Sequence, residues 1–137
     1  MSQSNPQCSV IALDHLVLTV ASIAETIQFY SHVLGMHAEQ FKTADAKTRW
    51  ALKFGSTKIN LHEKGREFEP KANHPTPGSA DLCFLTDVTL DVWMTHLATQ
   101  NVIVEEGPIA RAGAMGPLRS LYIRDPDQNL IEVSIQS

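Results

Sequence analysis

The sequence predicts an α+β fold built from two βαβββ modules. Two observations lead to this prediction: strand-like and helix-like runs occur twice in the order β-α-β-β-β, and polar residues recur at matching places in the two copies. With 137 residues, 43% of them hydrophobic and 19% charged, the chain fits a single globular domain with its own core. We assign residues 1–10 to a polar tail and 11–137 to the domain, with module one at 11–63, a linker at 64–79 and module two at 80–136.

The first module opens with LDHLVLTV, residues 13–20, whose alternation predicts a strand with one apolar face. A helix is predicted next, because Ser22 and Glu25 have the spacing of a capping box and Gly35 suits the left-handed position that ends a helix. Three extended runs follow, HAEQFKT, TRWALKFG and KINLHE, and the last two flank the turn signal GST.

The second module repeats this order after a linker rich in proline and glycine. ADLCFLTDV predicts a strand, TLDVWMTHLATQN a helix, and VIVEEG, LRSLYIRD and NLIEVSIQ three strands. His15 corresponds to Asp81 at an offset of 66, and Asn60 corresponds to Glu132 at an offset of 72. The second module is therefore longer by six residues, and we predict that RAGAMGP, residues 111–117, is an inserted loop.

Composition argues against several classes of partner. The net charge is −4, from 11 basic and 15 acidic residues without a lysine or arginine block, which disfavours nucleic acid and anionic membranes. Cys8 and Cys83 cannot build a disulfide framework. Residues 1–9 lack the charged start and long apolar run of a signal peptide. We expect a cytoplasmic protein whose partners are small molecules or a second copy of the chain.

Four polar residues are predicted to meet on the concave side of the sheet. Because side chains alternate between the two faces of a strand, His15, Asp81 and Glu132 lie opposite the apolar residues that cover the helices. Asn60 and His62 share the corresponding face of KINLHE. A histidine, two carboxylates and an amide oxygen are suitable ligands for a divalent metal ion. Each residue alone is explained by a local hydrogen bond, but the repeat that relates all four positions favours a metal site.

At LDHLVLTVASIAETIQFYSHVLGM and YIRDPDQNLIEVS the chain resembles the vicinal oxygen chelate superfamily. That superfamily includes glyoxalase I, fosfomycin-modifying transferases, bleomycin-resistance proteins, methylmalonyl-CoA epimerase and extradiol dioxygenases. KINLHEKGREFEPKANHPTPGSADLCF and RAGAMGP are similar to the glyoxalase-domain-containing protein 5 subgroup, some of whose bacterial members carry a virulence label. The resemblance implies a cupped half-barrel of mixed sheet with the helices outside.

The resemblance further implies a metal-dependent lyase or isomerase like lactoylglutathione lyase (glyoxalase I), acting on a small oxygenated substrate. His15 and Glu132 match metal ligands of the family, whereas Asn60 and Asp81 stand where glyoxalase I has a glutamate and a histidine. Because an amide cannot act as a base, His62 becomes the candidate for proton transfer. The implied cofactor is a divalent ion, nickel, manganese, iron, magnesium or zinc, with glutathione as co-substrate if the reaction is that of glyoxalase I.

Four more residues are candidates for substrate contact. Tyr122 precedes Glu132 by ten residues, the spacing of a substrate-contacting tyrosine in extradiol dioxygenases, although packing explains it equally well. Arg111 and Arg119 flank or lie within the RAGAMGP region and suit an anionic substrate group. His74, in the linker, is placed to reach the cleft.

Two other functions stay open. One is a metal-free, ligand-sequestering protein of the bleomycin-resistance kind, and the other is a small Fe(II) dioxygenase of the extradiol type. A homodimer is expected, because such modules leave sheet edges and an open half-barrel that a second copy can close. The sequence allows the site to lie within one chain or between two.

Overall fold

The computed structural model describes residues 7–137, which form two βαβββ modules. Module one contains β1 (His15–Val20), α1 (Ile23–His32), β2 (His37–Lys42), β3 (Thr48–Phe54) and β4 (Thr57–Glu63). Module two contains β5 (Asp81–Leu85), α2 (Leu90–Thr99), β6 (Glu106–Gly113), β7 (Gly116–Arg124) and β8 (Leu130–Gln136). The predicted fold class and the repeated order of elements are confirmed.

Each module forms its own four-stranded mixed sheet, in the order β1-β4-β3-β2 and β5-β8-β7-β6. The first and last strands of a module pair in parallel, and the remaining pairs are antiparallel hairpins. Val17 pairs with Asn60 in module one, and Cys83 pairs with Glu132 in module two. Each pair occupies the same register position in its sheet, so the offsets read from the sequence hold in the structure.

Helix α1 begins and ends as its sequence predicts. Ser22 is the N-cap, and its hydroxyl accepts a hydrogen bond from the Glu25 backbone N–H at 3.2 Å. Gly35 follows the helix with a φ of +74°, a left-handed conformation that costs glycine little. The chain turns there, and the Met36 N–H donates to the Tyr30 carbonyl at 3.0 Å, as in a Schellman motif.

Two predictions for module two are wrong. Residues 102–105 of VIVEEG are not a strand; β6 begins at Glu106 instead. The run 111–117 is not a loop but the end of β6, a two-residue turn and the start of β7. Its alanines and glycines have no apolar alternation, so the pattern is that of a loop, yet their backbones pair across the hairpin. Gly116, with a φ of +129°, lets the strand leave this tight turn.

Apolar residues of both modules form one continuous core between the sheets and helices. Alternate residues of β1, β3, β4, β7 and β8 supply its centre, namely Leu18, Val20, Leu52, Ile59, Leu61, Leu121, Ile123, Ile131 and Val133. Tyr30 of α1 and Leu97 of α2 are fully buried against them. Since successive strand residues point to opposite faces, the second, polar face of each sheet points away from this shared core.

The DPDQN turn, residues 125–129 between β7 and β8, links module two to module one through hydrogen bonds. Asp125 accepts hydrogen bonds from the backbone N–H groups of Asp127 and Asn129, both at 2.9 Å, and from the Asn129 amide at 2.8 Å. The Tyr30 hydroxyl of α1 donates to the same carboxylate at 2.7 Å. Burial, reinforced by the negative charge of Asp125, raises the pKa of Tyr30 strongly. This motif therefore has a structural function in the turn.

Candidate functional site

The polar face of the module-one sheet carries the first half of the predicted site. It is formed by His15, Val17 and Thr19 of β1, Lys58, Asn60 and His62 of β4, and Arg49, Ala51 and Lys53 of β3. His15 opens β1 and is exposed, and its Nδ1–H donates to Asp14 Oδ2 at 2.8 Å. That contact fixes the tautomer, so Nε2 retains its lone pair for a ligand.

Asn60 lies in the middle of this face and is buried, with 6% of its surface exposed. Its Oδ1 has no hydrogen-bond partner within residues 7–137. A buried amide oxygen without a partner is unfavourable by roughly 1–3 kcal/mol. An oxygen of this kind is suited to bind a cation or to accept a hydrogen bond.

His62 is held by Arg49 from the neighbouring strand β3. A guanidinium only donates hydrogen bonds, so the Arg49 contact to Nε2 occupies the acceptor nitrogen of His62 and places the ring proton on Nδ1. Burial, and secondarily the charge of Arg49, lower the pKa of His62. Since Arg49 uses the Nε2 lone pair, His62 would have to release this contact before it could act as the predicted base.

The linker covers one end of the module-one polar face. Phe68 lies against the His62 ring, with centroids 5.5 Å apart, and its own ring is 4.4 Å from the Arg49 guanidinium carbon. Residues 70–80 continue along β1 and enclose a cavity of about 440 Å³, which we call the linker cavity. His74, a predicted substrate contact, borders this cavity and is exposed.

The polar face of the module-two sheet carries the second half of the predicted site. Glu132 of β8 is half-buried there, and the Ser120 hydroxyl of β7 donates to its Oε2 at 2.5 Å. The Ser134 hydroxyl is 3.2 Å from the same oxygen and 2.7 Å from Ser120 Oγ. Glu132 Oε1 makes no hydrogen bond to any described residue, so one carboxylate oxygen is fixed and the other is available.

Tyr122 and Arg111 lie beside Glu132 on this face. Tyr122 is the register partner of Glu132, and the Arg111 Nε donates to its hydroxyl oxygen at 2.9 Å. Arg111 also pairs with Glu106 at 3.6 Å. Arg119 does not join them, because it alternates with Ser120 and lies on the opposite face of β7. In a single chain Arg119 therefore does not line the face that carries Glu132.

Asp81 and Cys83 of β5 are exposed at the edge of the same face. The Cys83 thiol contacts Ser134 Oγ at 3.3 Å, and burial raises its pKa, with Glu132 adding to the shift. Among residues 7–137, no three histidine, cysteine, aspartate or glutamate side chains come close enough to hold a metal ion. The four predicted ligands thus lie in two pairs on separate polar faces of the chain, His15 with Asn60 and Asp81 with Glu132, and we call these pairs the two half-sites of the predicted metal site.

Comparison with known proteins identifies the family. Residues 12–133 match the model of the Glyoxalase/Bleomycin resistance protein/Dioxygenase superfamily. The chain belongs to this superfamily. It is 51% identical over 128 residues to Virulence protein STM3117 of Salmonella typhimurium, covering 93% of this chain and 86% of that protein. It is 52% identical over 128 residues to Glyoxalase domain-containing protein RDO1 of Mycosarcoma maydis, covering 93% of this chain and 70% of the relative.

A solved structure from the mobile metagenome of V. Pseudocholerae has the same fold, with a TM-score of 0.89 and 53% sequence identity. The comparison covers 95% of this chain and 98% of that one. No helix within residues 7–137 is both long and apolar enough to cross a membrane. The suspected resemblance to the glyoxalase and virulence-protein group is confirmed.

Several residues of the site were not predicted from the sequence. Asp14 and Ser134 had visible signals, since Asp14 directly precedes His15 and Ser134 shares a strand face with Glu132. Arg49 and Phe68 had none, because their positions depend on the register of a hairpin and on the path of the linker.

Proposed function

We propose that this protein is a metal-dependent lyase or isomerase of the vicinal oxygen chelate type, similar to lactoylglutathione lyase. The observation that carries the proposal is the state of Glu132, whose Oε2 is held by Ser120 while Oε1 is left without a partner. A carboxylate fixed through one oxygen is prepared to bind a cation through the other. Membership of the superfamily supports this interpretation.

The remaining donors suit the same ion. Asp14 leaves the Nε2 of His15 available, and the buried Oδ1 of Asn60 lacks a partner. Together with Asp81 and Glu132 they would supply one nitrogen and three oxygen ligands. This oxygen-rich set favours manganese, iron, nickel or magnesium over zinc. The bound ion would supply Lewis-acid polarisation of the substrate oxygens.

A second copy of the chain would bring the two half-sites together. Both polar faces point away from the shared core, and each exposes an apolar side chain, Val17 at 46% and Leu85 at 62%. The module-one face carries Lys53, Lys58 and Arg49 against one acid, whereas the module-two face has more acidic than basic residues. Opposite charge and exposed apolar area favour pairing of one copy's first face with the other's second face.

Around such a site the chain's own residues would orient and protonate the substrate. Tyr122 receives a hydrogen bond from Arg111, so its own O–H is free to donate to a substrate oxygen. Arg111 adds positive charge next to Glu132, which suits an anionic substrate or intermediate. Glu132 is the group best placed to move a proton, because His62 has no free lone pair.

Metal analysis of the purified protein tests the proposal. Chelator-treated protein should regain thermal stability when manganese, nickel or iron is added, and it should turn over the hemithioacetal of glutathione and methylglyoxal. Glu132→Gln should lose both responses. Glu39→Gln, which changes a carboxylate paired with Lys53 on an outer strand, is the matched control and should keep them. Turnover that survives Glu132→Gln would exclude the proposed function of Glu132.

The alternative of a metal-free, ligand-sequestering protein is favoured by one observation. The linker cavity exists in the single chain and needs no metal for its walls. If chelated and metal-loaded protein have equal thermal stability, the metal-dependent functions fail together and sequestration is the better account. Iron retention with oxygen uptake on catechols would instead identify a dioxygenase.

A further inference from the structure

The linker cavity contains two hydrogen-bond donors that the rest of the chain does not use. The first is the Nδ1–H of His62, since the contact from Arg49 to Nε2 leaves the ring proton on Nδ1. The second is the hydroxyl of Thr19, which is the register partner of His62 on the adjacent strand. Neither has a hydrogen-bond partner in the part of the chain that the structure describes, and both residues border the cavity.

Arg49 is the charged group that acts most strongly on His62, and the carboxylate of Glu67 opposes it more weakly. Arg49 forms no ion pair with a carboxylate among the described residues, and it is fixed between the rings of Phe68 and Phe41, at 4.4 and 5.9 Å. Its charge therefore acts on His62 without being neutralised, and it strengthens the ring N–H as a donor. Lys71 also borders the cavity, but its ammonium is paired with Glu69 at 2.5 Å, so Arg49 is the cation that supports the two donors.

The remaining walls of the linker cavity are largely apolar. They are formed mainly by one edge of β1 and by small or cyclic residues of the linker, namely Leu16, Val17, Pro70, Ala72, Pro75 and Ala80. A volume of about 440 Å³ is within the range of small-molecule sites. The cavity thus combines two adjacent donors and a nearby cation with an apolar enclosure.

We propose that His62 and Thr19, supported by Arg49, form a subsite for the carboxylate group of a small organic acid with an apolar body. Two neighbouring donors match the two oxygens of a carboxylate, and the unpaired arginine compensates its charge. The subsite lies on the same face as Asn60, two residues along β4, or about 7 Å. That this acid is the substrate of the metal site rests on the proposed function. The binding itself does not require the metal.

Binding of benzoate to chelator-treated protein tests this inference, measured by NMR through the His62 ring nitrogens and the Thr19 amide. Benzamide, an uncharged analogue, should bind about tenfold or more weakly. Phenylphosphonate distinguishes a carboxylate subsite from a phosphoryl subsite and should also bind more weakly. Equal affinity for benzoate and benzamide, or tighter binding of phenylphosphonate, would overturn the assignment.

A pair of isosteric variants locates the subsite. Thr19→Val removes an unused hydroxyl and should weaken benzoate binding about tenfold. Thr76→Val removes a hydroxyl on the same cavity that already donates to the His74 carbonyl at 3.3 Å, and it should change the affinity less than about twofold. His62→Phe should also abolish binding. Equal affinities in the two valine variants would refute the subsite, whereas failure of metal binding alone would leave these results unchanged.

Discussion

Replacing Tyr30 by phenylalanine tests how the two modules are held together. The Tyr30 hydroxyl is fully buried and donates at 2.7 Å to Asp125, of which only 2% is exposed. A hydrogen bond to a buried charged group contributes about 1.5–3 kcal/mol. In the variant Asp125 still accepts hydrogen bonds from Asp127 and Asn129, so the buried carboxylate is not left without partners. We therefore expect Tyr30→Phe to lower the free energy of unfolding by about 2 kcal/mol.

Urea and thermal unfolding measure this loss. A change of about 2 kcal/mol corresponds to a shift in Tm of about 6–8 °C for a chain of this size, and to about 1 M in the urea midpoint. Tyr122→Phe is the matched control: its hydroxyl only accepts from Arg111, which keeps Glu106 as a partner, so the loss should stay within about 1 kcal/mol. Equal losses in the two variants would refute the assigned role of the Tyr30–Asp125 contact.

Three further predictions concern single positions. Ser120→Ala should weaken metal affinity about tenfold or more by freeing Glu132, with only a small change in thermal stability of the metal-free protein; unchanged affinity in a metal titration would contradict it. Lowering the pH from about 7.5 to about 5.5 should destabilise the wild type more than His62→Gln, because a histidine with a lowered folded-state pKa takes up its proton more readily when unfolded; equal changes in urea midpoint would argue against this. Gly107→Ala should reduce stability by about 3 kcal/mol or more, because a Cβ would lie 2.3 Å from the Ser120 carbonyl oxygen at a φ of +111°; a near-native Tm would count against that packing.

The elements and the faces of the strands could be predicted from the sequence because they depend on local rules. Ser22 and Gly35 mark the ends of α1, and alternation placed Asn60 and Glu132 on the polar faces. The failure at RAGAMGP has the same origin, since small residues carry no alternation to reveal a strand.

Contacts between side chains of neighbouring strands could not be predicted from these local rules. Arg49 meets His62 because the turn after Phe54 has two residues. A three-residue turn at GST would have moved the pairing by one residue and placed Arg49 on the opposite face from His62. The occupied lone pair of His62 therefore depends on a detail of turn length that the pattern leaves open.

The relative placement of the two modules could not be predicted from the sequence, for a different reason. The same alternation is satisfied when polar faces meet within one chain and when apolar faces meet there. The structure has the apolar faces in one core, with Tyr30 and Asp125 linking the modules. The four predicted ligands are consequently divided between two polar faces, which is why a second copy enters the proposed function.

A complementation experiment tests the central claim that the metal site is shared between two copies. His15→Ala inactivates the first half-site and Glu132→Gln the second, so each variant alone should bind no metal under conditions that saturate the wild type. When the two are unfolded, mixed equally and refolded, half of the dimers should contain one intact site, which restores about a quarter of the wild-type capacity. Metal analysis of the mixture should show this recovery. A mixture that binds no metal, although the wild type binds it fully after the same treatment, would contradict a site formed between two chains.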